Sequence, residues 1–156
     1  MTRIVIADAA STADIAAVAD LFREYVFRIG RDHGVDVSYQ DFEGEMATFP
    51  DRYERLLLAR VEGAPAAAIA LRRLSASDCE MKRLFVRDSF RGLGLAKTLV
   101  KTLIAGARAA GYGTMRLDTH ASMTPAIRLY ESFGFAPSPP HNEPGNADTL
   151  FFARGL

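Results

Sequence analysis

Residues Arg91–Ala96 read Arg-Gly-Leu-Gly-Leu-Ala and stand between an apolar, strand-like run and a strongly helical one. At the N-terminus of a helix, several backbone N–H groups lack partners within the helix and point toward one small region. Gly92 and Gly94 allow the backbone to approach a ligand closely, and Arg91 adds charged donors. The pattern predicts a turn that binds an anion such as a pyrophosphate.

Two other nucleotide-binding motifs resemble this turn. A P-loop requires Gly-Lys-Ser/Thr after its first glycine, whereas here Lys97-Thr98 follows Ala96. A dinucleotide-binding fingerprint is closer, because Asp118 stands at the end of the next predicted strand. However, Lys97 takes the third-glycine position, and only one helix and one clear strand follow Thr119. That is too little chain for a doubly wound sheet.

Hydrophobic periodicity predicts the elements that must position the turn. Ser11 and Asp14 resemble a capping box, and apolar residues follow at helical spacing as far as Val26. Residues 28–50 are expected to form a loop and then a short helix at 42–49, and further helices are expected at 92–110 and 124–132. Strands are expected at 3–7, 56–61, 66–74, 79–86, 114–119 and 150–153. Short links between the central strands favour an antiparallel meander, so we expect an α/β fold of the α+β type with a mixed sheet.

Composition limits the classes of partner. The 156 residues are 49% hydrophobic, so we expect a single domain over residues 1–156. Nineteen basic and nineteen acidic residues give no net charge, which argues against nucleic acid or an anionic membrane as a partner. Apolar runs are too short for a signal peptide or membrane span, so a soluble, cytoplasmic protein is expected. Cys79, the one cysteine, is expected to be a buried small hydrophobe.

Three segments together resemble the GCN5-related N-acetyltransferase (GNAT) superfamily. Arg91–Ala96 matches the signature Arg/Gln-x-x-Gly-x-Gly/Ala, Glu80–Arg87 is similar to the fourth strand, and Leu129–Phe135 is similar to the Leu-Tyr-x-x-x-Gly-Phe helix end. The resemblance is firm over residues 79–135 and weaker before them. It implies a mostly antiparallel mixed sheet of about six or seven strands flanked by about four helices. It also implies an N-acetyltransferase that uses acetyl-CoA as co-substrate.

The resemblance implies where acetyl-CoA would bind. The backbone of Leu84, Phe85 and Val86 would pair with the pantetheine arm where the fourth and fifth strands splay apart. The pyrophosphate would be held by the turn and the lysine after it, namely Arg91, Gly92, Leu93, Gly94, Leu95, Ala96 and Lys97. Family members commonly have Asn seven residues before the helix-end tyrosine, whereas this chain has Met123. Only backbone contacts are therefore expected to carry over from that part of the family's site.

Direct attack of a primary amine on acetyl-CoA in a ternary complex requires a general base and a general acid. The resemblance implies Tyr130 as the acid, because a tyrosine pKa of about 10 lies above the value of about 8.5 for a thiol. It offers Glu80 and Asp118 as the base, with Glu80 preferred and acting through water. Regular alternation would place Glu80, Lys82, Leu84 and Val86 on one face of the strand. A structural Glu80–Lys82 salt bridge is therefore the alternative interpretation.

The acceptor pocket is expected between the loop at 28–39, the helix at 42–49 and the Pro-rich segment at 137–148. Polar candidates for acceptor contacts are Arg31, Asp36, Tyr39 and Glu43. His33, His120 and His141 lack the spacing of a metal site, so no metal is expected and no role is given to them. His120 could line the pocket, but a solvent-facing position at the strand end is preferred.

The acceptor itself is left open between a small-molecule amine and a peptide, and the assembly between a monomer and a homodimer. Two other functions stay open. One is a catalytically weak regulatory module that binds CoA or acyl-CoA. The other is a nucleotide-dependent oxidoreductase that uses the glycine turn. Stabilisation by CoA or by NAD would separate these classes.

Overall fold

A computed structural model describes residues 1–36, 41–145 and 147–156, which form one seven-stranded sheet with helices on both faces. The strands are β1 Ile4–Asp8, β2 Arg55–Val61, β3 Ala64–Arg73, β4 Asp78–Val86, β5 Thr114–His120, β6 Ala136–Pro137 and β7 Thr149–Gly155. Their order across the sheet is β1-β2-β3-β4-β5-β7-β6. Among the described strands, β4 and β5 are the one parallel pair. The predicted mixed, mostly antiparallel α+β fold is confirmed. The two-residue β6, where a loop was expected, is an addition.

Four α-helices occur in the described part of the chain. They are α1 Thr12–His33, α2 Phe42–Ala47, α3 Leu95–Ala109 and α4 Thr124–Ser132. The predicted cap of α1 is present, since the Asp14 N–H donates to Oγ of Ser11 at 3.1 Å. None of the helices in the described ranges is both long and apolar enough to cross a bilayer.

The prediction of a loop beginning at Arg28 is wrong, because α1 continues to His33. Ile29 is buried and continues the apolar face of the helix. Gly30 lies on the exposed side, where a glycine costs a helix only about 1 kcal/mol. The helix ends instead at Gly34, whose φ of 65° allows the left-handed cap. Tertiary packing thus outweighs the local glycine signal.

The sheet separates two apolar layers. One contains Leu99 and Leu103 of α3 with Met115 and Leu117 of β5, and α4 packs against it. The other contains Val18, Leu21 and Phe22 of α1, and residues of α2 pack against it. Cys79 is fully buried in the first layer, and burial raises the pKa of its thiol to about 12. It is a small buried hydrophobe, as predicted.

Strands β4 and β5 separate partway along their length. Their pairing covers Asp78–Glu80 of β4 and Thr114–Arg116 of β5. Beyond this point β4 continues to Val86 and β5 to His120, and no further β4–β5 pairs form along these strands. The result is a split in the middle of the sheet, open toward the carboxyl ends of both strands.

A β-bulge in β4 changes which side chains face each layer. Lys82 pairs with Ala70 and Phe85 with Ala68, so three steps along β4 oppose two along β3. Arg83 in the bulge has a φ of 61°. The predicted sharing of one face by Glu80, Lys82, Leu84 and Val86 is therefore wrong. Glu80 and Lys82 face the α1–α2 side, whereas Leu84 and Val86 pack on the α3–α4 side.

The bulge is fixed by a buried ion pair. Nη2 of Arg83 lies 3.1 Å from Oε1 of Glu45 in α2, and the Arg83 guanidinium lies over the Phe42 ring at 5.2 Å. Both charged side chains are almost completely buried. A left-handed arginine is a strained conformation that persists only when its surroundings hold it.

We expect Glu45→Ala to lower the free energy of unfolding by about 3–5 kcal/mol, because the guanidinium would lose its buried carboxylate partner. Glu43→Ala, two residues away on the exposed side of α2, is the matched control and should change the stability by less than about 0.5 kcal/mol. Urea unfolding measures both. Equal, small losses in the two variants would contradict this account of the bulge.

Candidate active site

The glycine turn forms the entrance to α3. Gly92 and Gly94 have φ values of 83° and 74°, a region that residues with a Cβ adopt only at a cost. Gly94 is the N-cap of α3 and supplies no side-chain hydrogen bond to the first turn, whereas Ser11 and Asp41 cap α1 and α2. A short 3₁₀ turn at Asp88–Phe90 separates the turn from β4. The first turn of α3 therefore has no side-chain cap at the place where the sequence predicts an anion site.

The two basic residues at the turn, Arg91 and Lys97, differ in their contacts. Nη2 of Arg91 is 2.9 Å from Oδ1 of Asp88, and both side chains are exposed. Lys97 is exposed in the first turn of α3, where no acidic residue stands. The site thus has positive charge at its rim as well as N–H donors at its base.

A continuous groove leads from this turn to the split in the sheet. It passes between the end of β4 and the start of α4, and the C-terminal part of α1 forms its other wall. Its lining residues include His33, Leu84, Val86, Arg91, Ala96, Met123, Pro125, Ala126 and Leu129. The predicted contacts Leu84, Phe85 and Val86 line this groove. Of the predicted residues at the turn, the lining includes Arg91, Gly92, Gly94, Leu95, Ala96 and Lys97, whereas Leu93 is exposed outside it.

The split itself holds a cavity that shares Tyr25, Ile29, Leu84 and Met123 with the groove. Its other walls are residues 81–83 of β4, residues 118–120 of β5, Val35, Tyr130 and Thr149. The cavity therefore brings together the predicted Tyr130 and Asp118. A molecule lying in the groove would present its end to both side chains.

Tyr130 is buried at the inner wall of this cavity. Its ring meets the Phe135 ring edge-on, with centroids 6.1 Å apart. Burial, followed by the influence of Tyr25 and Asp118, raises the pKa of the Tyr130 hydroxyl well above its ordinary value. The hydroxyl consequently stays protonated at any pH at which the protein would normally be assayed.

Glu80 is held by a network from the Pro-rich segment. Nε2 of His141 donates to its Oε2 at 2.7 Å, and the two side chains are only 7% and 1% exposed. The Asn142 amide donates to Oε2 of Glu80 at 3.3 Å and to Oδ2 of Asp118 at 3.0 Å. The ring of His141 packs edge-on against Phe151 at 5.3 Å. The two predicted carboxylates are thus joined through residues that carry no predicted role.

Burial acts to raise the pKa of Glu80, but the hydrogen bond from His141 and the charge of Lys82 outweigh it. The net pKa lies below the usual glutamate value. Nζ of Lys82 is 4.0 Å from Oε1 of Glu80, and Nη1 of Arg72 is 3.7 Å from the same oxygen. Neither distance is a hydrogen bond, and among the described residues Oε1 has no hydrogen-bond partner. The Glu80–Lys82 salt bridge considered as the alternative interpretation is therefore present as a 4.0 Å ion pair without a hydrogen bond.

Donor atoms of Glu80, Asp118 and His141 lie within 4.8 Å of one another, a spacing that can hold a metal ion. Here, however, hydrogen bonds from His141 and Asn142 engage the carboxylates. Lys82 and Arg72 also place positive charge beside Glu80. We therefore assign the cluster to hydrogen bonding.

A second polar chain crosses the mouth of the split. Oγ of Ser122 is 2.9 Å from Nδ1 of His33 and 2.7 Å from Nδ1 of His120, so it links the end of α1 to the end of β5. The His120 side chain is only 14% exposed and lines the cavity. The preference for a solvent-facing His120 is therefore wrong.

Of the four polar residues proposed for acceptor contacts, the three that the structure describes do not line the cavity. Arg31 is exposed and bonds to Asp32, and Glu43 is exposed on α2. Asp36 is exposed as well, and Tyr39 lies outside the described residues. Met123, which replaces the commonly found Asn, lines both groove and cavity, and its sulfur lies 3.8 Å from Oγ1 of Thr119.

Comparison with known proteins adds to this geometry. Residues 15–135 match the model of the "Acetyltransferase (GNAT) family". The chain is similar to an uncharacterised N-acetyltransferase of Schizosaccharomyces pombe, with 37% identity over 128 residues that cover 78% of each protein. It is also similar to an uncharacterised N-acetyltransferase of Dictyostelium discoideum, with 45% identity over 76 residues. This second match covers 49% of the chain and 35% of the Dictyostelium protein.

Solved structures share the fold. An acetyltransferase from Streptococcus agalactiae superposes with a TM-score of 0.77 at 19% identity, covering 98% of both chains. The yncA structure from Salmonella typhimurium, which contains its cofactor acetyl-CoA, superposes with a TM-score of 0.74 at 22% identity. The superposition covers 98% of this chain and 94% of the yncA chain. PaiA N-acetyltransferase from Thermoplasma acidophilum, in complex with coenzyme A, superposes with a TM-score of 0.74 at 16% identity over 99% of both chains.

Proposed function

Because the chain belongs to the GNAT acetyltransferase family, we propose that it transfers the acetyl group of acetyl-CoA to a primary amine. We further propose that residues 1–156 act as a single domain. The observation that carries this proposal is the continuous path from the glycine turn, through the groove, to the cavity that contains Tyr130 and Asp118. The acetyl-CoA and CoA bound by the yncA and PaiA structures support the choice of cofactor.

In the proposed complex, the pyrophosphate takes the N–H donors of residues 91–97 at the start of α3. The pantetheine arm follows the groove and pairs with the backbone of Leu84, Phe85 and Val86, which the split leaves without β5 as a neighbour. The thioester then reaches the split cavity. There a backbone N–H of β4 can polarise its carbonyl, as an oxyanion-hole donor does.

The proposed transfer is a direct attack in the ternary complex. The amine nitrogen bonds to the carbonyl carbon, the carbon–sulfur bond breaks, and the thiolate takes a proton from Tyr130. The amine loses a proton through water to Glu80 or Asp118. Glu80 is our first choice, because its Oε1 has no hydrogen-bond partner among the described residues while His141 and Asn142 hold Oε2.

The proposed acceptor is a small molecule with a primary amine. It would enter between the end of α1 and the segment that carries His141 and Asn142, since both border the split. One partial relative, 41% identical over 56 residues that cover 36% of this chain and 20% of that protein, is the N-acetylaspartate synthetase of Danio rerio, which favours a small acceptor. A fold relative from Escherichia coli is a ribosomal-protein-S18-alanine N-acetyltransferase, so a peptide amine is the second candidate.

Coenzyme A should stabilise the protein by about 2.7 kcal/mol at a concentration 100 times its dissociation constant. Gly94→Ala is expected to weaken this binding by about 10-fold, because alanine relieves the cost of about 1–2 kcal/mol at a φ of 74° by shifting the turn, which moves the N–H groups at the start of α3 away from the pyrophosphate. Thermal-shift titration with CoA measures both.

Gly63→Ala is the matched control for this substitution. Gly63 has a φ of 82° in the β2–β3 turn and, like Gly94, has space for a Cβ. It should lose similar stability but bind CoA normally. Stabilisation by NAD and not by CoA would contradict the proposed function. Stabilisation by CoA without turnover of any amine would indicate a regulatory binding module instead.

A further inference from the structure

The chain contains three lysines, and their environments differ sharply. Lys97 and Lys101 are exposed on α3. Lys82 lies on β4 beside the bulge, its side chain is only 10% exposed, and it lines the split cavity together with Leu84, Asp118 and Tyr130. One lysine amine is therefore built into the space that the proposed function gives to the acceptor.

The amine of Lys82 lies near one candidate base and lines the same cavity as the other. Its Nζ lies 4.0 Å from Oε1 of Glu80, the oxygen without a hydrogen-bond partner among the described residues. The same cavity contains Asp118, the second candidate base, and Tyr130, the proposed acid. The side chain of a lysine has four methylene groups and can turn within a cavity of this kind. Base, amine and acid are thus present before any acceptor arrives.

We propose that Lys82 is an internal acceptor, acetylated by the acetyl-CoA bound to its own chain when no amine substrate occupies the cavity. This inference rests on the proposed function. The inference adds to the proposed function a modification site on the enzyme itself and a way for the enzyme to lower its own activity.

The step balances in the same way as the transfer to an external amine. The Lys82 ammonium gives one proton to Glu80 or Asp118, and the free Nζ attacks the carbonyl carbon of the thioester. A carbon–nitrogen bond forms, the carbon–sulfur bond breaks with its electron pair on sulfur, and Tyr130 protonates the thiolate. The second nitrogen proton then passes through water to the Tyr130 phenolate, which restores the tyrosine. The proton first taken by the carboxylate is released to solvent, so the products are acetyl-lysine, CoA and one proton. No oxidant or further reactant is required.

Electrostatics favours Lys82 over the two lysines of α3 as the nucleophile. Burial lowers the pKa of Lys82, and this outweighs the opposing effect of Glu80. At a given pH, a larger fraction of Lys82 is therefore in the neutral, nucleophilic form than for an ordinary lysine. Reaction within one complex also gains the advantage of proximity, which the exposed Lys97 and Lys101 lack.

Acetylation would remove the positive charge beside Glu80 and add bulk to the acceptor cavity. Because an external amine competes for the same acetyl group and the same space, its presence should protect Lys82. An enzyme supplied with acetyl-CoA alone would then lose activity progressively. The modification would thus tie activity to the availability of the acceptor.

The test is to incubate the wild-type protein with acetyl-CoA alone and to map acetylation by peptide mass spectrometry over time. We expect one acetyl group per chain, on Lys82, formed at least about 10-fold faster than on Lys97 or Lys101. The rate per molecule should not depend on the protein concentration. Lys82→Arg should abolish the modification, and Lys101→Arg, a surface control, should leave it unchanged.

Several results would overturn the proposal. Equal acetylation of all three lysines would show chemical acetylation by free acetyl-CoA, and an unmodified Lys82 in a protein that acetylates external amines would refute the internal acceptor alone. Because the mapping uses the wild-type chain, it stands even if Lys82→Arg fails to fold. Absence of both CoA binding and amine turnover would instead refute the proposed function, and the internal acceptor with it.

Discussion

Replacing Tyr130 by phenylalanine is expected to lower kcat about 100- to 1,000-fold while leaving the KM for acetyl-CoA nearly unchanged. The hydroxyl is the proposed donor to the departing thiolate, and burial raises its pKa, so it remains protonated across the neutral and alkaline range. Phenylalanine retains the edge-on contact with Phe135, so packing is preserved. Steady-state assays of thiol release measure the two parameters separately.

Tyr112→Phe is the control for this prediction. The Tyr112 hydroxyl donates to Oε2 of Glu54 at 2.6 Å, and Tyr112 is not among the residues that line the split cavity. Its loss should affect stability slightly and kcat not at all. If Tyr130→Phe turned over at the wild-type rate, Tyr130 would be only a packing residue of α4, and water would have to protonate the thiolate.

Replacing Glu80 by glutamine is expected to lower kcat/KM about 100-fold at every pH between 6 and 9. Since His141 and Lys82 keep the pKa of Glu80 below its usual value, the carboxylate is ionised throughout this range. Its removal should therefore reduce the rate by the same factor throughout this range, and the acid limb at lower pH, which reports the ionisation of Glu80, should disappear. Asp118→Asn tests the second candidate base in the same assay, and Glu54→Gln, remote from the cavity, is the control for a lost carboxylate.

Replacing His141, which hydrogen-bonds to Glu80, tests the same assignment through the pH dependence of kcat/KM. In His141→Ala, burial would act on Glu80 without the hydrogen bond that opposes it, so its pKa should rise. The acid limb of kcat/KM should move up by about one pH unit, and His141→Gln, which can still donate a hydrogen bond, should restore it. If neither Glu80→Gln nor Asp118→Asn altered the rate, no protein base would be needed.

Local sequence patterns predict most of the fold because the elements are amphipathic and well bounded. Strand β4 was expected at 79–86 and runs over Asp78–Val86, and α4 was expected at 124–132 and occupies Thr124–Ser132. The bulge in β4 was not predicted, because alternation assumes a regular pleat. Its strained Arg83 is held by Glu45, 38 residues away in the chain, and no local signal reports such a contact.

The candidate site was predicted where its residues belong to one motif and missed where they come together through topology. The turn at 91–96 and the position of Tyr130 follow from short patterns. His141 reaches Glu80 across 61 residues of sequence, because β7 lies beside β5 and brings the preceding segment to the split. The one available signal was a rigid Pro139-Pro140 pair directly before His141 and Asn142, which indicates a fixed segment but not its contact.

The most direct test of the central claim is to measure thiol release from acetyl-CoA against a panel of small primary amines and a peptide amine, with wild-type protein and Tyr130→Phe in parallel. The proposed function predicts that at least one amine gives equal amounts of CoA and acetylated amine, and that the variant is slower by the factor given above. No amine turnover by a wild-type protein that binds CoA would contradict it. So would equal rates for wild type and Tyr130→Phe.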